Sequence, residues 1–191
     1  MSAHTAKILA LSGIFVMIVA ALIGPYVSHA EYSQISHTTS ELAGQGVPNA
    51  WIMRLGFAAY GLGTALAALS ILRRAPLLAM ALILFGVGLL GASIWSSATF
   101  PPAPGTNQTE DAWHSYFSSA IGIAFALATL TRLSMAGFPR SDWLSWLGLL
   151  ASVLLPLAMV QFPSIDGLLQ RVLFAISFLW IARLFMSRDP S

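Results

Sequence analysis

The chain contains six apolar segments, and each is close to the length of a helix that crosses a membrane. The segments cover residues 7–27, 51–72, 77–98, 113–133, 143–162 and 168–186. A hydrocarbon core about 30 Å thick is crossed by about 20 helical residues, because each residue adds about 1.5 Å. Of the 191 residues, 57% are hydrophobic and 8% are charged, whereas soluble domains have about 25% charged residues. The sequence therefore predicts an all-α polytopic membrane protein, with six transmembrane helices in one compact bundle and a single domain over residues 1–191.

The distribution of lysine and arginine predicts which side of the membrane each loop faces. Cytoplasmic loops of membrane proteins carry an excess of these residues. If the N-terminus is cytoplasmic, the inner side holds seven of them: Lys7, Arg73, Arg74, Arg132, Arg140, Arg183 and Arg188. The outer side then holds only Arg54 and Arg171. We therefore expect both termini to lie in the cytoplasm.

A cleaved signal peptide is the alternative interpretation of the first segment. Lys7 precedes an apolar run that ends at Ile23, and Ser28-His29-Ala30 matches a small-x-small cleavage site. The run has 16 residues, and Pro25 and Tyr26 extend it, whereas the apolar region of a signal peptide has about 7–15. The length of the run favours a retained span.

A polar stretch at residues 32–51 separates the first two segments. Tyr32 and Leu42 lie on one stripe of a helix, because they are ten residues apart. The opposite face collects the polar side chains His37, Ser40 and Glu41. This pattern predicts a short amphipathic helix over residues 33–43, lying in the interface plane across the outer end of the bundle.

Polar side chains also cluster at the predicted outer ends of the later segments. Asp111, His114 and Ser118 are spaced by three and four residues, so they share one helical face. Gln170 and Arg171 lie at the start of the sixth segment. Ionisable groups near or within spans are costly, and by default they indicate a function. The candidate ligand-binding set is His37, Ser40, Glu41, Arg54, Asp111, His114, Ser118, Asp166 and Arg171.

An outward-facing polar pocket for an anion is the function that these residues favour. The second, fourth and sixth segments all begin on the outer side, so the positive ends of three helix dipoles face it. With Arg54 and Arg171 they predict a site for an anionic lipid head group or a small solute, without a cofactor. Membrane lipids are the expected partners, and no protein partner is predicted. In the structural alternative, Asp111 and Asp166 cap helices and the arginines extend to the interface.

A metal-dependent hydrolase that acts on a lipid ester or amide at the outer face is the second function class. His37 and His114, with Asp111 or Asp166, would bind zinc, which activates water, and Ser40 or Arg171 would assist the reaction. A haem between the two histidines is a third possibility. The pI near 9.4 reflects a net charge of only +2, so nucleic acid is not a predicted partner. The absence of cysteine excludes disulfides and thiolate metal sites.

The run from Tyr32 to Phe57, especially its part SHTTSELAGQGVPNAWIMRLGF, resembles the signature of an uncharacterised prokaryotic membrane family, domain of unknown function 998. The resemblance implies six spans, a polar segment after the first span and a place in the bacterial inner membrane. It implies no activity. A looser similarity links the chain to a superfamily of membrane hydrolases with several histidines, an aspartate and a serine near one membrane face. Of that pattern, His37 and His114 have suitable positions in this chain.

Overall fold

The computed structural model describes residues 1–101 and 104–187, and all regular structure in those ranges is helical. The predicted all-α fold is therefore confirmed. The helices are α1 Ala3–Val27, α2 Thr39–Leu42, α3 Ala50–Ala68, α4 Pro76–Ile94, α5 Gln108–Met135, α6 Trp143–Gln161 and α7 Asp166–Met186. A 3₁₀ turn at Pro163–Ile165 leads into α7. Arg188, which was counted in the charge bias, lies outside the described residues.

The six long helices pack in chain order into a closed ring. Each of α1, α3, α4, α5 and α6 packs against the next, and α7 returns to α1. The short helix α2 contacts α1, α3 and α7. We call the end of the ring where α3, α5 and α7 begin the strap end, because the α1–α3 connection crosses it. The opposite end, where α4 and α6 begin, is the basic end.

Within residues 1–101 and 104–187, five helices are long and apolar enough to cross a membrane. They are Ala3–Val27, Pro76–Ile94, Gln108–Met135, Trp143–Gln161 and Pro163–Met186. Large apolar side chains on their outer faces, such as Phe15, Leu84 and Leu154, are exposed. Exposed apolar surface of this extent is expected of a protein whose solvent is lipid. The chain is an integral membrane protein.

Helix α3 has 19 residues, as many as α4 and α6, but it is not among those five. It packs very closely on α1. A Cβ atom at Gly13 of α1 would lie 2.5 Å from the carbonyl oxygen of Ala59, and one at Gly63 would lie 2.5 Å from that of Leu9. Small residues at such positions let backbones approach in lipid, where packing and not hydrophobicity drives association.

Candidate functional site

The connection between α1 and α3, residues 28–49, forms a strap over one end of the ring. In its first half His37 N donates to Ser33 O (2.8 Å), and Ser33 N donates to His37 Nδ1 (2.8 Å). In its second half Thr38 caps α2: the Thr38 hydroxyl accepts from Glu41 N, and the Glu41 carboxylate accepts from Thr38 N. The single helix predicted over 33–43 is therefore a turn followed by a four-residue helix. The helix begins late because Thr38 acts as its N-cap and so stands outside it.

Arg171, on the first turns of α7, holds the strap through backbone oxygens. Its NH1 group donates to the carbonyl oxygens of Gln34 (2.8 Å), His37 (2.9 Å) and Gly167 (2.9 Å). Its NH2 group donates to the hydroxyl of Tyr32 (2.5 Å). Burial raises the pKa of the Tyr32 hydroxyl, and the hydrogen bond from Arg171 opposes that rise only in part. Tyr32 is therefore a neutral phenol, and Arg171 donates its hydrogen bonds to groups of the same chain.

Two further contacts fix the strap to α7. Leu168 N donates to Ile35 O (2.9 Å). The Gln170 carbonyl oxygen accepts from the amide nitrogen of Thr39 (2.7 Å) and from its hydroxyl (2.6 Å). Because that oxygen accepts both bonds, the orientation of the Gln170 amide group is set. Its Nε2 group has no hydrogen-bond partner in residues 1–101 and 104–187.

Arg54, on α3, has a similar structural role at the other side of α2. Its Nε donates to the carbonyl oxygen of Ala43 (3.1 Å), and its NH2 group lies 3.4 Å from that of Gly44. These carbonyls follow α2 directly, so the guanidinium satisfies the end of the short helix. Both outer arginines predicted to bind an anion thus donate to strap carbonyls.

The first turns of α5 bind the extended backbone that follows α4. The bonds join Glu110 Oε1 to Ser96 N (3.0 Å), Asp111 Oδ1 to Ala98 N (2.7 Å) and His114 Nδ1 to Trp95 O (2.9 Å). A carbonyl oxygen can only accept, so His114 carries its proton on Nδ1. Its buried Nε2 has no partner in the described part of the chain. These bonds also explain why α4 ends at Ile94 and not at the predicted residue 98. The backbone of residues 95–98 is bonded to α5 and so does not continue the helix.

Asp166 lies in the first turn of α7 and makes no capping hydrogen bond through its side chain. Its Oδ1 is buried and unpartnered within the described ranges. Helix α5 is capped by Asn107, whose side chain accepts from Thr109 N and Glu110 N. The alternative explanation of Asp111 and Asp166 as helix caps therefore fails for both, because Asp111 is bound to Ala98 instead.

The residues proposed as zinc ligands are not assembled into a site. His37 Nδ1 accepts a backbone hydrogen bond, so the neutral ring carries its proton on Nε2 and has no free lone pair. The His37 ring packs on Phe100, with 4.3 Å between ring centres. Across residues 1–101 and 104–187, no three His, Asp or Glu side chains are placed to hold a metal ion. Of the two histidines, only His114 has a ring nitrogen with a free lone pair, its Nε2.

A cavity of about 430 Å³ lies inside the ring, below the strap. Its walls are mainly apolar and include Phe57 of α3, Phe85 of α4 and Phe125 of α5. The polar residues that line it in the described part of the chain are all uncharged: Ser40, Ser118, Ser119, Ser152, Gln170 and Ser177. Ile123 lines the cavity and is 63% exposed, so the cavity opens sideways along α5. Gly122 lies on the same wall, and a Cβ atom there would meet nothing within 4 Å.

Residues 9–187 match a protein family described as a protein of unknown function, DUF998. The chain belongs to the DUF998 family. The resemblance predicted from residues 32–57 is thereby confirmed. Comparisons with curated proteins and with solved structures found no match.

Eight of the nine candidate residues in this DUF998 member have one of two structural roles. Ser40 and Ser118 line the cavity. Six others make hydrogen bonds that hold the strap, its cap and the start of α5: His37, Glu41, Arg54, Asp111, His114 and Arg171. Asp166 has neither role among the described residues. The sequence analysis did not select Gln170, Ser152 and Ser177 as site residues. Serines within spans were a usable signal for the last two, since a hydroxyl in apolar surroundings needs a nearby acceptor.

Proposed function

We propose that this DUF998 member is a six-span protein of the bacterial inner membrane that binds a membrane lipid, or a small solute of similar chemistry, in the central cavity. The cavity of about 430 Å³, apolar and open along α5, is the observation that carries the proposal. Ligand sites commonly have this size and a few placed polar groups in an apolar wall. The sixth span would be α3, because it lies in the ring between α1 and α4. The strap would lie at the outer interface.

The free polar groups of the cavity favour a neutral part of the lipid. Ser40 and Ser118 have no hydrogen bond from their hydroxyls among the described residues, and Gln170 has its Nε2 group free. These donors suit an ester carbonyl or a hydroxyl near the polar end of a lipid, while an acyl chain would lie against Phe57 and Phe125. Binding of an anionic head group remains a prediction from the sequence. A neutral group is favoured over it, because Arg54 and Arg171 already donate to strap carbonyls.

Binding without hydrolysis is the function proposed. The zinc alternative requires three ligands, and His37 offers no free lone pair in its hydrogen-bonded form. Among the described residues that line the cavity, no Asp, Glu or His lies beside a serine to act as its base. The serines at its deeper end donate to backbone oxygens of their own helices, Ser152 to Leu149 and Ser177 to Phe174.

Filling the cavity should remove the bound lipid. Gly122→Leu places a side chain into open space on the cavity wall, so we expect co-purified lipid to fall roughly tenfold, which corresponds to about 1.4 kcal/mol. The measurement is native mass spectrometry of the protein in mild detergent. Ala120→Leu is the matched control, because Ala120 is exposed on the same helix and does not line the cavity. Equal lipid in both variants, or none in the unaltered protein, would refute the proposal.

Topology supplies an independent test of the six-span arrangement. A reporter fused after Ser191 should be cytoplasmic, and one inserted near Gly105 should be external, because the basic residues concentrate at the opposite end from Gly105. The assay compares an enzyme active only outside the cytoplasm with one active only inside. A cytoplasmic signal near Gly105 would show that the arrangement is incorrect.

A further inference from the structure

A second polar site lies at the basic end, where α5, α6 and α7 meet. Asp142, the residue before α6, is paired with two arginines. Its Oδ1 lies 3.2 Å from NH1 of Arg183, and its Oδ2 lies 3.9 Å from Nε of Arg132. The three side chains line a separate cavity of about 90 Å³. Among the described residues that line it, two guanidinium groups and one carboxylate are charged, so their sum is positive.

A buried hydrogen-bond chain fixes the carboxylate between the arginines. Trp180 Nε1 donates to the hydroxyl of Ser145 (2.8 Å), and that hydroxyl donates to Asp142 Oδ2 (2.8 Å). Trp180 and Ser145 are both buried. Asp142 is therefore held by the core of the bundle, and the two guanidinium groups are positioned against an anchored partner.

Trp180 also separates this site from the central cavity. Its ring meets Phe125 edge to face, with 5.7 Å between ring centres. Phe125 lines the central cavity, whereas Trp180 lines the smaller one. The aromatic pair therefore lies between two compartments, and a ligand of the small cavity would be independent of a lipid in the larger one.

The arginines have donors to spare. The nitrogen atoms paired with Asp142 are NH1 of Arg183 and Nε of Arg132, and neither guanidinium group donates a hydrogen bond within the part of the chain that the structure describes. The side chain of Arg183 is 51% exposed, so the small cavity is accessible from the protein surface. Helix α6 begins here as well, and its first N–H groups add positive potential.

From this geometry we propose that Arg132 and Arg183 bind the phosphate of an anionic phospholipid in the leaflet at the basic end. Guanidinium groups are suited to phosphate oxygens because they present several donors in one plane. Basic pockets between membrane-spanning helices on the cytoplasmic side are a recurrent form of lipid head-group site. Exposed Phe138 and Trp143 flank the loop that carries Asp142, as aromatic residues do at a membrane interface. A lipid is therefore favoured over a free anion.

The test compares lipid binding of the full chain, purified in detergent, by native mass spectrometry. The probes are phosphatidylglycerol, phosphatidylcholine and inorganic phosphate alone. We expect the unaltered protein to prefer phosphatidylglycerol, and Arg183→Gln and Arg132→Gln each to weaken that binding about fivefold. Arg73→Gln is the charge-matched control, since Arg73 is exposed at the same end but away from this cavity.

Each outcome decides the proposal. No preference for phosphatidylglycerol in the unaltered protein refutes it, and this result needs no variant to fold. An equal loss in Arg73→Gln refutes it too, because general surface charge would then explain binding. Inorganic phosphate that binds while phosphatidylglycerol does not would assign the site to a free anion and overturn the lipid. Arg183→Lys should recover binding in part if a variant without charge fails to fold. Gly122→Leu lowers total lipid through the central cavity but should leave the preference for phosphatidylglycerol over phosphatidylcholine unchanged, which separates the two sites.

Discussion

Replacing Gly167 by alanine should lower the free energy of unfolding by about 2–3 kcal/mol, at the upper range of the cost of overpacking. Gly167 lies in the first turn of α7, and a Cβ atom there would clash with backbone atoms of His37 and with the carbonyl oxygen of Gln34. Backbone atoms cannot rotate away as a flexible side chain would. The strap would have to lift, and the hydrogen bonds of Arg171 and of Leu168 N would weaken with it.

Gly122→Ala is the control for this experiment. Gly122 is also helical, but a Cβ atom there has open space around it. Alanine is favoured over glycine within a helix by about 0.5–1 kcal/mol, so we expect this variant to be as stable as the unaltered protein or slightly more so. Thermal unfolding in detergent measures both. If Gly167→Ala and Gly122→Ala unfold at the same temperature, the close contact between the strap and α7 does not exist.

Arg171→Met should have a comparable effect for a different reason. The substitution keeps much of the apolar stem but leaves the carbonyl oxygen of Gln34 without its donor. The carbonyl oxygen of His37 keeps only the Tyr32 hydroxyl as a side-chain donor. A hydrogen bond to a charged group contributes about 1.5–3 kcal/mol, and such contributions are not additive, so we expect a loss of about 3 kcal/mol. Amide hydrogen exchange should rise in the strap, residues 28–49. Thermal unfolding gives the total loss.

Two variants test whether geometry or charge is responsible. Arg171→Lys keeps the charge but has no planar fork to reach several oxygens, so it should recover less than half of the lost stability. Arg73→Met removes an exposed charge and should leave stability within about 0.5 kcal/mol. If Arg171→Met leaves both melting and strap exchange unaltered, then Arg171 is free to bind an anion, as the sequence alone suggested.

The helices could be predicted from the sequence because lipid imposes a simple rule. Apolar segments of about 20 residues are required to cross it, and each long helix was located within a few residues. The strap was harder to predict. Its amphipathic pattern favoured one helix from 33 to 43, whereas Thr38 caps a shorter one. The sequence did contain that signal, since Thr38 and Glu41 have the spacing of a capping box.

The site was less predictable, because its two main features leave little trace in the sequence. Arg171 is surrounded by backbone carbonyls, and the sequence does not record where carbonyls converge. A cationic residue near a helix start therefore suggested a ligand. The central cavity depends on positions without a side chain, such as Gly122, and on the contact between α7 and α1 that closes the ring. Neither follows from the composition of any one segment.

The strap is held mainly through its main chain, and this affects how freely its sequence can change. Arg171 contacts the carbonyl oxygens of Gln34 and His37, and Leu168 N contacts that of Ile35. The side chains of Gln34 and Ile35 are exposed and take no part in these bonds. Substitutions at Gln34 and Ile35 preserve these backbone hydrogen bonds. The exposed surface of the strap can therefore change in sequence while its attachment to α7 stays the same. A protein built this way can acquire new surface chemistry above a constant interior.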